Sequence, residues 1–115
     1  MKDFSFEIEN RGKKYKLVFN INVLEEIQEE YGTVDKWGEL SDGINGEPNF
    51  KALRFGFTSM INEGIEITNE EKGTDDKPLT LKQVGRLLTE YGLEDATSVL
   101  NQAVAESTKS EEKNA

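Results

Sequence analysis

Adjacent carboxylates are the residues of this chain whose type and spacing could do chemistry, because two neighbouring acids can divide the work of proton transfer. Such pairs include Glu25-Glu26, Glu29-Glu30, Glu70-Glu71 and Asp75-Asp76. Catalytic carboxylates need a buried or hydrogen-bonded setting that gives the two acids different roles. These pairs fall on predicted solvent faces or in polar loops, so we interpret them as solvated surface.

The loop DGINGE at residues 42–47 has the acids and glycines of a calcium loop. An EF-hand needs an oxygen ligand at its third position, where Ile44 stands, and a bidentate Glu at its twelfth, where Leu53 stands. We therefore expect no calcium site. Phosphate-binding loops place glycines before a helix. Three glycines are instead predicted to follow helices as stop signals: Gly32, Gly64 and Gly92.

Composition narrows the chemistry further. The 115 residues include no Cys and no His, so the chain lacks a thiol nucleophile, a zinc-thiolate site and the usual acid/base group at neutral pH. The excess of 23 acidic over 14 basic residues gives a formal charge of -9, which repels nucleic acid and anionic lipid. The N-terminus has no continuous apolar stretch. We expect a cytoplasmic, non-enzymatic protein that binds neither nucleic acid nor membrane and uses no metal or cofactor.

The elements that would position a binding residue begin with a β-hairpin, predicted at residues 4–19. Apolar and polar residues alternate on both sides of Arg11-Gly12, which predicts two strands joined by a two-residue turn of undecided type. Both faces agree on one register: Phe4 opposite Phe19, Phe6 opposite Leu17, Ile8 opposite Tyr15, Glu7 opposite Lys16 and Glu9 opposite Lys14.

Helical spacing of apolar residues predicts five helices, at about 21–31, 35–41, 50–63, 80–91 and 94–106. The predicted N-terminal caps are Asn20 or Asn22, Asp35, Asn49, and Thr80 in a capping box with Gln83. Residues 65–79 are predicted to form an exposed loop, and 107–115 a disordered tail. The fold class is therefore α+β and mainly α: an N-terminal hairpin followed by four to five short helices around one core, in a single domain at 1–106.

The order of these elements resembles that of the tail assembly chaperones of long-tailed phages and prophages. The residues that carry the resemblance are YKLVFNINVLEEIQEEYG, a Trp-containing helix, FKALRFGFTSMINEG and PLTLKQVGRLLTEYGLEDATSVLNQAV, within residues 13–106. It implies a small acidic protein that binds the tape measure protein and the major tail tube protein during assembly. It also implies a location in the cytoplasm of the bacterial host and absence from the mature virion.

A chaperone of this kind must cover apolar stripes of a long helical partner reversibly and keep the complex soluble. A groove between helices could serve the first need, and the face bearing Glu25, Glu29 and Glu30 the second. The candidate partner contacts are Trp37, Phe55 and Tyr91. For Trp37, a place in the core is the competing interpretation.

Two other classes stay open: an acidic inhibitor or DNA mimic of a mobile element, and a head-tail joining protein of the virion, which should form a ring. Lys13, Lys14 and Lys16 interrupt a continuous acidic stripe, which disfavours a DNA mimic. Self-association is left open. The resemblance further implies that a longer, frameshifted product could exist, since Glu112-Lys113-Asn114 can be encoded by an adenine-rich slippery run.

Overall fold

The computed structural model describes the backbone of residues 5–42 and 46–114, and the side chains of 6–42 and 46–105. In this part of the chain two strands precede five helices: β1 Ser5–Asn10, β2 Lys13–Val18, α1 Ile21–Tyr31, α2 Val34–Asp42, α3 Phe50–Lys72, α4 Leu81–Tyr91 and α5 Leu93–Asn114. A two-stranded hairpin followed by helices around one core confirms the predicted α+β, mainly α class.

The hairpin pairs in the predicted register. Every predicted pair within the described residues is present, from Phe6 opposite Leu17 to Glu9 opposite Lys14; the pair of Phe4 with Phe19 lies outside the described residues. Arg11 and Gly12 have φ values of 55° and 78°, so both central residues are left-handed, as a type I′ turn requires. The Arg11 side chain reaches α4, where its Nε donates to Glu90 Oε1 at 3.1 Å. This contact ties the turn to the helices.

Helix α3 is the central element, because β2, α1, α2 and α4 all pack against it. It contributes five buried apolar side chains to the core: Ala52, Leu53, Phe57, Met60 and Ile61. The hairpin covers this core with Ile8 and Leu17. The other helices therefore take their positions from α3.

The predicted end of α3 near residue 63 is wrong. The helix continues to Lys72 and ends at Gly73, whose φ of 67° is left-handed. Gly64 therefore lies inside the helix, and residues 65–72 belong to it instead of to a loop. A Cβ at Gly64 would stand 2.6 Å from the carbonyl oxygen of Lys16, so the glycine is required by the close crossing of β2. A glycine can mark either the end of a helix or a close crossing by another backbone. The sequence pattern does not distinguish the two, which is why the prediction failed.

The other helix ends largely follow the predicted signals. Asn20 and Asn49 cap α1 and α3, and Thr80 and Gln83 form the predicted capping box of α4. Asp35 is not a cap: α2 begins one residue earlier, and Thr33 Oγ1 accepts the hydrogen bond from the backbone N–H of Lys36 at 3.0 Å.

Helix α5 is longer than the sequence predicted. Its backbone is helical to Asn114, whereas a helix ending near residue 106 and a disordered tail at 107–115 were expected. No Gly or Pro interrupts residues 107–114, so no residue there breaks the helical backbone. The side chains of this stretch lie outside the described ones.

Candidate partner-binding groove

Large apolar side chains exposed to solvent are few in the described part of the chain. They are Ile21 at 77% exposure, Phe50 at 52%, Leu81 at 45% and Leu93 at 42%. A single exposed apolar residue needs no explanation, whereas several lining one depression indicate a binding surface. Phe50, Leu81 and Leu93 all line depressions beside the α3–α4 pair, which makes that region the candidate binding surface.

One depression, of about 560 Å³, lies where the start of α3 faces the end of α4. Its apolar lining is Phe50, Leu53, Leu88 and Leu93, and its rim includes Lys51, Arg54 and Thr89. Among the described residues neither Lys51 nor Arg54 has an ion-pair partner. We call this the basic end. A Cβ at Gly85 would make an ordinary van der Waals contact with the Arg54 side chain, 3.5 Å from its Cδ.

A second depression, of about 470 Å³, lies between α1, α3 and the start of α4. Its lining is Glu26, Glu29 and Glu30 of α1, Phe55, Thr58, Ser59 and Asn62 of α3, and Leu81 of α4. We call this the acidic end. Ser59 donates a hydrogen bond to Glu26, which holds that carboxylate against α3. Phe55 packs edge-on against Tyr31, with ring centroids 5.6 Å apart.

Asn62 positions the start of α4 against α3. Its Nδ2 donates to the carbonyl oxygen of Leu79 at 3.0 Å, and its Oδ1 accepts from the Leu79 backbone N–H at 2.8 Å. Leu79, two residues before Leu81, is thus tied to α3. The exposure of Leu81 therefore follows from a fixed backbone.

The two depressions have no lining residue in common, and helical spacing aligns them in one track along α3 and α4. Arg54, Thr58 and Asn62 stand at i, i+4 and i+8 of α3, and the first lines the basic end while the other two line the acidic end. Leu81, Gly85 and Thr89 have the same spacing on α4 and run between the same two ends. We name this track the α3–α4 groove. The twelve-residue step from Phe50 to Asn62 corresponds to about 18 Å, or roughly three helical turns.

The structure places the three predicted contact residues in different surroundings. Trp37 is 1% exposed, its Nε1–H donates to the carbonyl oxygen of Ala52 at 2.9 Å, and its ring stacks on Phe19 at 6.2 Å. Trp37 therefore offers no surface to a partner, and the competing interpretation as a core residue is correct. Phe55 lines the acidic end of the groove. Tyr91 is half-buried against the core and lines neither end.

Sequence reasoning did not single out the three exposed apolar residues of the groove, Phe50 and Leu93 at the basic end and Leu81 at the acidic end. Helical spacing places all three in apolar stripes, yet each is the first residue of its helix. A side chain at the first helical position lies at the edge of the stripe, where the core has ended. The first helical position was therefore the signal available in the sequence. In these three helices it marks an apolar residue that is exposed instead of buried.

The side chains with shifted pKa values, Arg11, Tyr31 and Glu90, line neither end of the groove. A hydrogen bond from Arg11 lowers the pKa of Glu90, and the same contact raises the pKa of Arg11. Burial, helped by the charge of Glu30, raises the pKa of Tyr31, whose hydroxyl is buried with no hydrogen-bond partner in the described structure. Within the described residues no group of three or more potential ligands could hold a metal ion.

No helix in the described part of the chain combines the length and apolar character needed to cross a bilayer.

Comparison with known proteins gives no match to a family model, a curated protein or a solved structure. The groove and the sequence pattern are therefore the grounds on which a function can be proposed.

Proposed function

We propose that this protein is a non-enzymatic tail assembly chaperone of a long-tailed phage or prophage. It binds the tape measure protein and the major tail tube protein in the cytoplasm of the bacterial host, and it does not remain in the mature virion. The observation that carries the proposal is the α3–α4 groove, which gathers three of the four large exposed apolar side chains of the described residues. The resemblance of the sequence pattern to such chaperones supplies the identity of the partners.

The groove has the dimensions for one amphipathic helix. Its track of about 18 Å matches three turns, and its apolar side chains recur along that length. A tape measure protein exposes apolar helical stripes until the tail tube encloses it, so it presents the surface that such a groove would cover.

The size of the apolar contact suits reversible binding. Phe50, Leu81 and Leu93 are each about half exposed, so burying the remainder contributes about 1 kcal/mol per side chain. Association must also offset the lost freedom of both partners. The resulting weak affinity allows the partner to be handed over to the growing tube, and the formal charge of -9 keeps the complex soluble.

The test is co-expression with the tape measure protein, followed by co-purification at moderate salt. The groove variant Phe50→Ser/Leu93→Ser should lose the complex, whereas the matched control Ile21→Ser should retain it. Ile21 is also the first residue of its helix and is more exposed, but it lines neither end of the groove. Circular dichroism of the purified variants establishes that each is folded.

Three outcomes would reject parts of the proposal. A tape measure protein that stays insoluble while the wild-type protein purifies alone rejects the chaperone function. A complex retained by the groove variant rejects the groove as its site. Capture of a basic nuclease or polymerase, or a closed ring in solution, would instead favour the acidic inhibitor or the head-tail joining protein.

A further inference from the structure

The two ends of the α3–α4 groove carry opposite charge. Glu26, Glu29 and Glu30 line one end, and Lys51 and Arg54 line the other. The cations stand out because acidic residues outnumber basic ones in this chain by 23 to 14. Opposite charges at the ends of one track give it a direction that a purely apolar groove would lack.

The cations at the basic end are available to a partner. Among the described residues neither Lys51 nor Arg54 forms an ion pair. Glu90, next to the groove residue Thr89, is engaged by Arg11 from the hairpin turn and so does not neutralise them. A carboxylate from a bound helix would meet cations that the protein itself leaves unpaired.

We propose that the groove selects an amphipathic partner helix with segregated charges: an apolar stripe of about three turns, acidic residues beside it at one end and basic residues at the other. The acidic end of the partner lies over Lys51 and Arg54, and its basic end lies over the three glutamates. This inference rests on the proposed function, since it specifies which helical segments of the tape measure protein are bound. The complementary charges of the groove and the partner fix the register of the bound helix.

The experiment measures binding of fluorescein-labelled synthetic peptides to the full chain by fluorescence anisotropy. Three peptides of about 18 residues, long enough to form a helix, share one leucine stripe. The first has lysines flanking the stripe in one half and glutamates in the other, the second has lysines throughout, and the third has glutamates throughout. We expect the segregated peptide to bind about tenfold more tightly than either of the others at low salt, with the difference shrinking as salt is added.

Charge-reversal variants locate the effect. Lys51→Glu/Arg54→Glu should move the preference to the all-lysine peptide, because both ends of the groove are then acidic. The matched control Lys82→Glu/Arg86→Glu changes the net charge by the same amount at two exposed cations of α4 that line neither end. This control should keep the preference for the segregated peptide.

Equal affinity for the three peptides overturns the charge register, as does an equal change of preference in the control variant. Either result leaves the chaperone function intact if the tape measure protein still co-purifies with the wild type. Conversely, the expected peptide preference without recovery of the tape measure protein rejects the chaperone function and keeps the groove as a binding site for another charge-segregated helix.

Discussion

Gly64→Ala is the substitution that tests the packing of the hairpin on α3 most directly. A Cβ at this position would lie 2.6 Å from the carbonyl oxygen of Lys16, with the Lys16 carbonyl carbon at 3.2 Å. Real Cβ contacts are not this short, so either β2 or α3 must move. The obstacle is backbone in a paired strand, since Lys16 lies opposite Glu7 in the hairpin. A change of side-chain rotamer cannot relieve it.

The magnitude follows from two opposing effects. Replacing Gly by Ala inside a helix ordinarily stabilises it by about 1 kcal/mol. Overpacking typically destabilises by about 1–3 kcal/mol, and an immovable backbone neighbour places Gly64 at the upper end of that range. The expected net change is a loss of about 2 kcal/mol in the free energy of unfolding. The melting temperature should fall by about 8 °C.

Gly38→Ala is the matched control. Gly38 is also inside a helix, but a Cβ there would meet nothing within 4 Å. Only the gain in helix propensity remains, so we expect Gly38→Ala to stabilise the protein by about 1 kcal/mol. The same substitution should therefore act with opposite sign at the two positions.

Urea unfolding followed by tryptophan fluorescence measures both changes. Trp37 is the single tryptophan and is buried in the core, so its emission reports the opening of that core. Circular dichroism should give the same midpoints if the transition is two-state. A Gly64→Ala variant at least as stable as the wild type would refute the close crossing of β2 over α3.

Three further substitutions test local interactions. Thr80→Ala removes the capping box of α4 and should lower the free energy of unfolding by about 1 kcal/mol; an unchanged urea midpoint would contradict the cap. Tyr31→Phe removes a buried hydroxyl that has no hydrogen-bond partner among the described residues. It should leave stability equal or raise it by about 1 kcal/mol, whereas a loss in urea unfolding would reveal a partner. Glu90→Gln tests the contact with Arg11. The pKa of Glu90 in the folded state lies below its ordinary value of 4.5, so the contact stabilises the protein at pH values above 4.5. This stabilisation is lost as the pH falls through the folded-state pKa. The variant should thus be less stable than the wild type at neutral pH and equal to it at strongly acidic pH, and a constant difference across a pH series of thermal melts would exclude the ionic contribution.

The hairpin register could be predicted from sequence because two independent patterns agree. The apolar face pairs Phe6 with Leu17, the polar face pairs Glu7 with Lys16, and a slip of one residue would break both matches. The turn type could not be predicted, since Arg11 adopts a left-handed conformation that its residue type disfavours. Its contact with Glu90, 79 residues further along the chain, is invisible to local reasoning.

The length of α3 was missed for a related reason. A glycine can end a helix where the chain turns away, or lie inside a helix where another backbone crosses closely. For Gly64 only the tertiary contact with Lys16 distinguishes the two. The actual end at Gly73 has local support: Asn69 Oδ1 accepts hydrogen bonds from Thr74 Oγ1 at 2.8 Å and from the Asp76 N–H at 3.1 Å.

Of the groove, sequence reasoning reached Phe55 and the glutamates of α1 but not the basic end. Periodicity assigns a residue to a face of a helix, and it does not say where along that face the core stops. Phe50 and Leu93 lie beyond that limit, while Trp37, a residue type enriched in interfaces, lies well inside it. Burial was therefore the information that the sequence lacked.

Net charge and local charge answer different questions about a partner of this protein. The formal charge of -9 acts over distances that salt limits to about 10 Å at 0.1 M ionic strength, so it governs solubility and the approach of charged molecules. Once a helix lies in the groove, Lys51 and Arg54 are nearer to it than most of the acidic surface. If the proposal is correct, an acidic helix end would be disfavoured during approach and favoured after docking, so added salt should speed its association while weakening the final complex. Stopped-flow mixing of the full chain with a peptide that carries glutamates in one half and glutamines in the other, at increasing salt, would show both trends; parallel slowing of association would place the dominant field at the basic end instead.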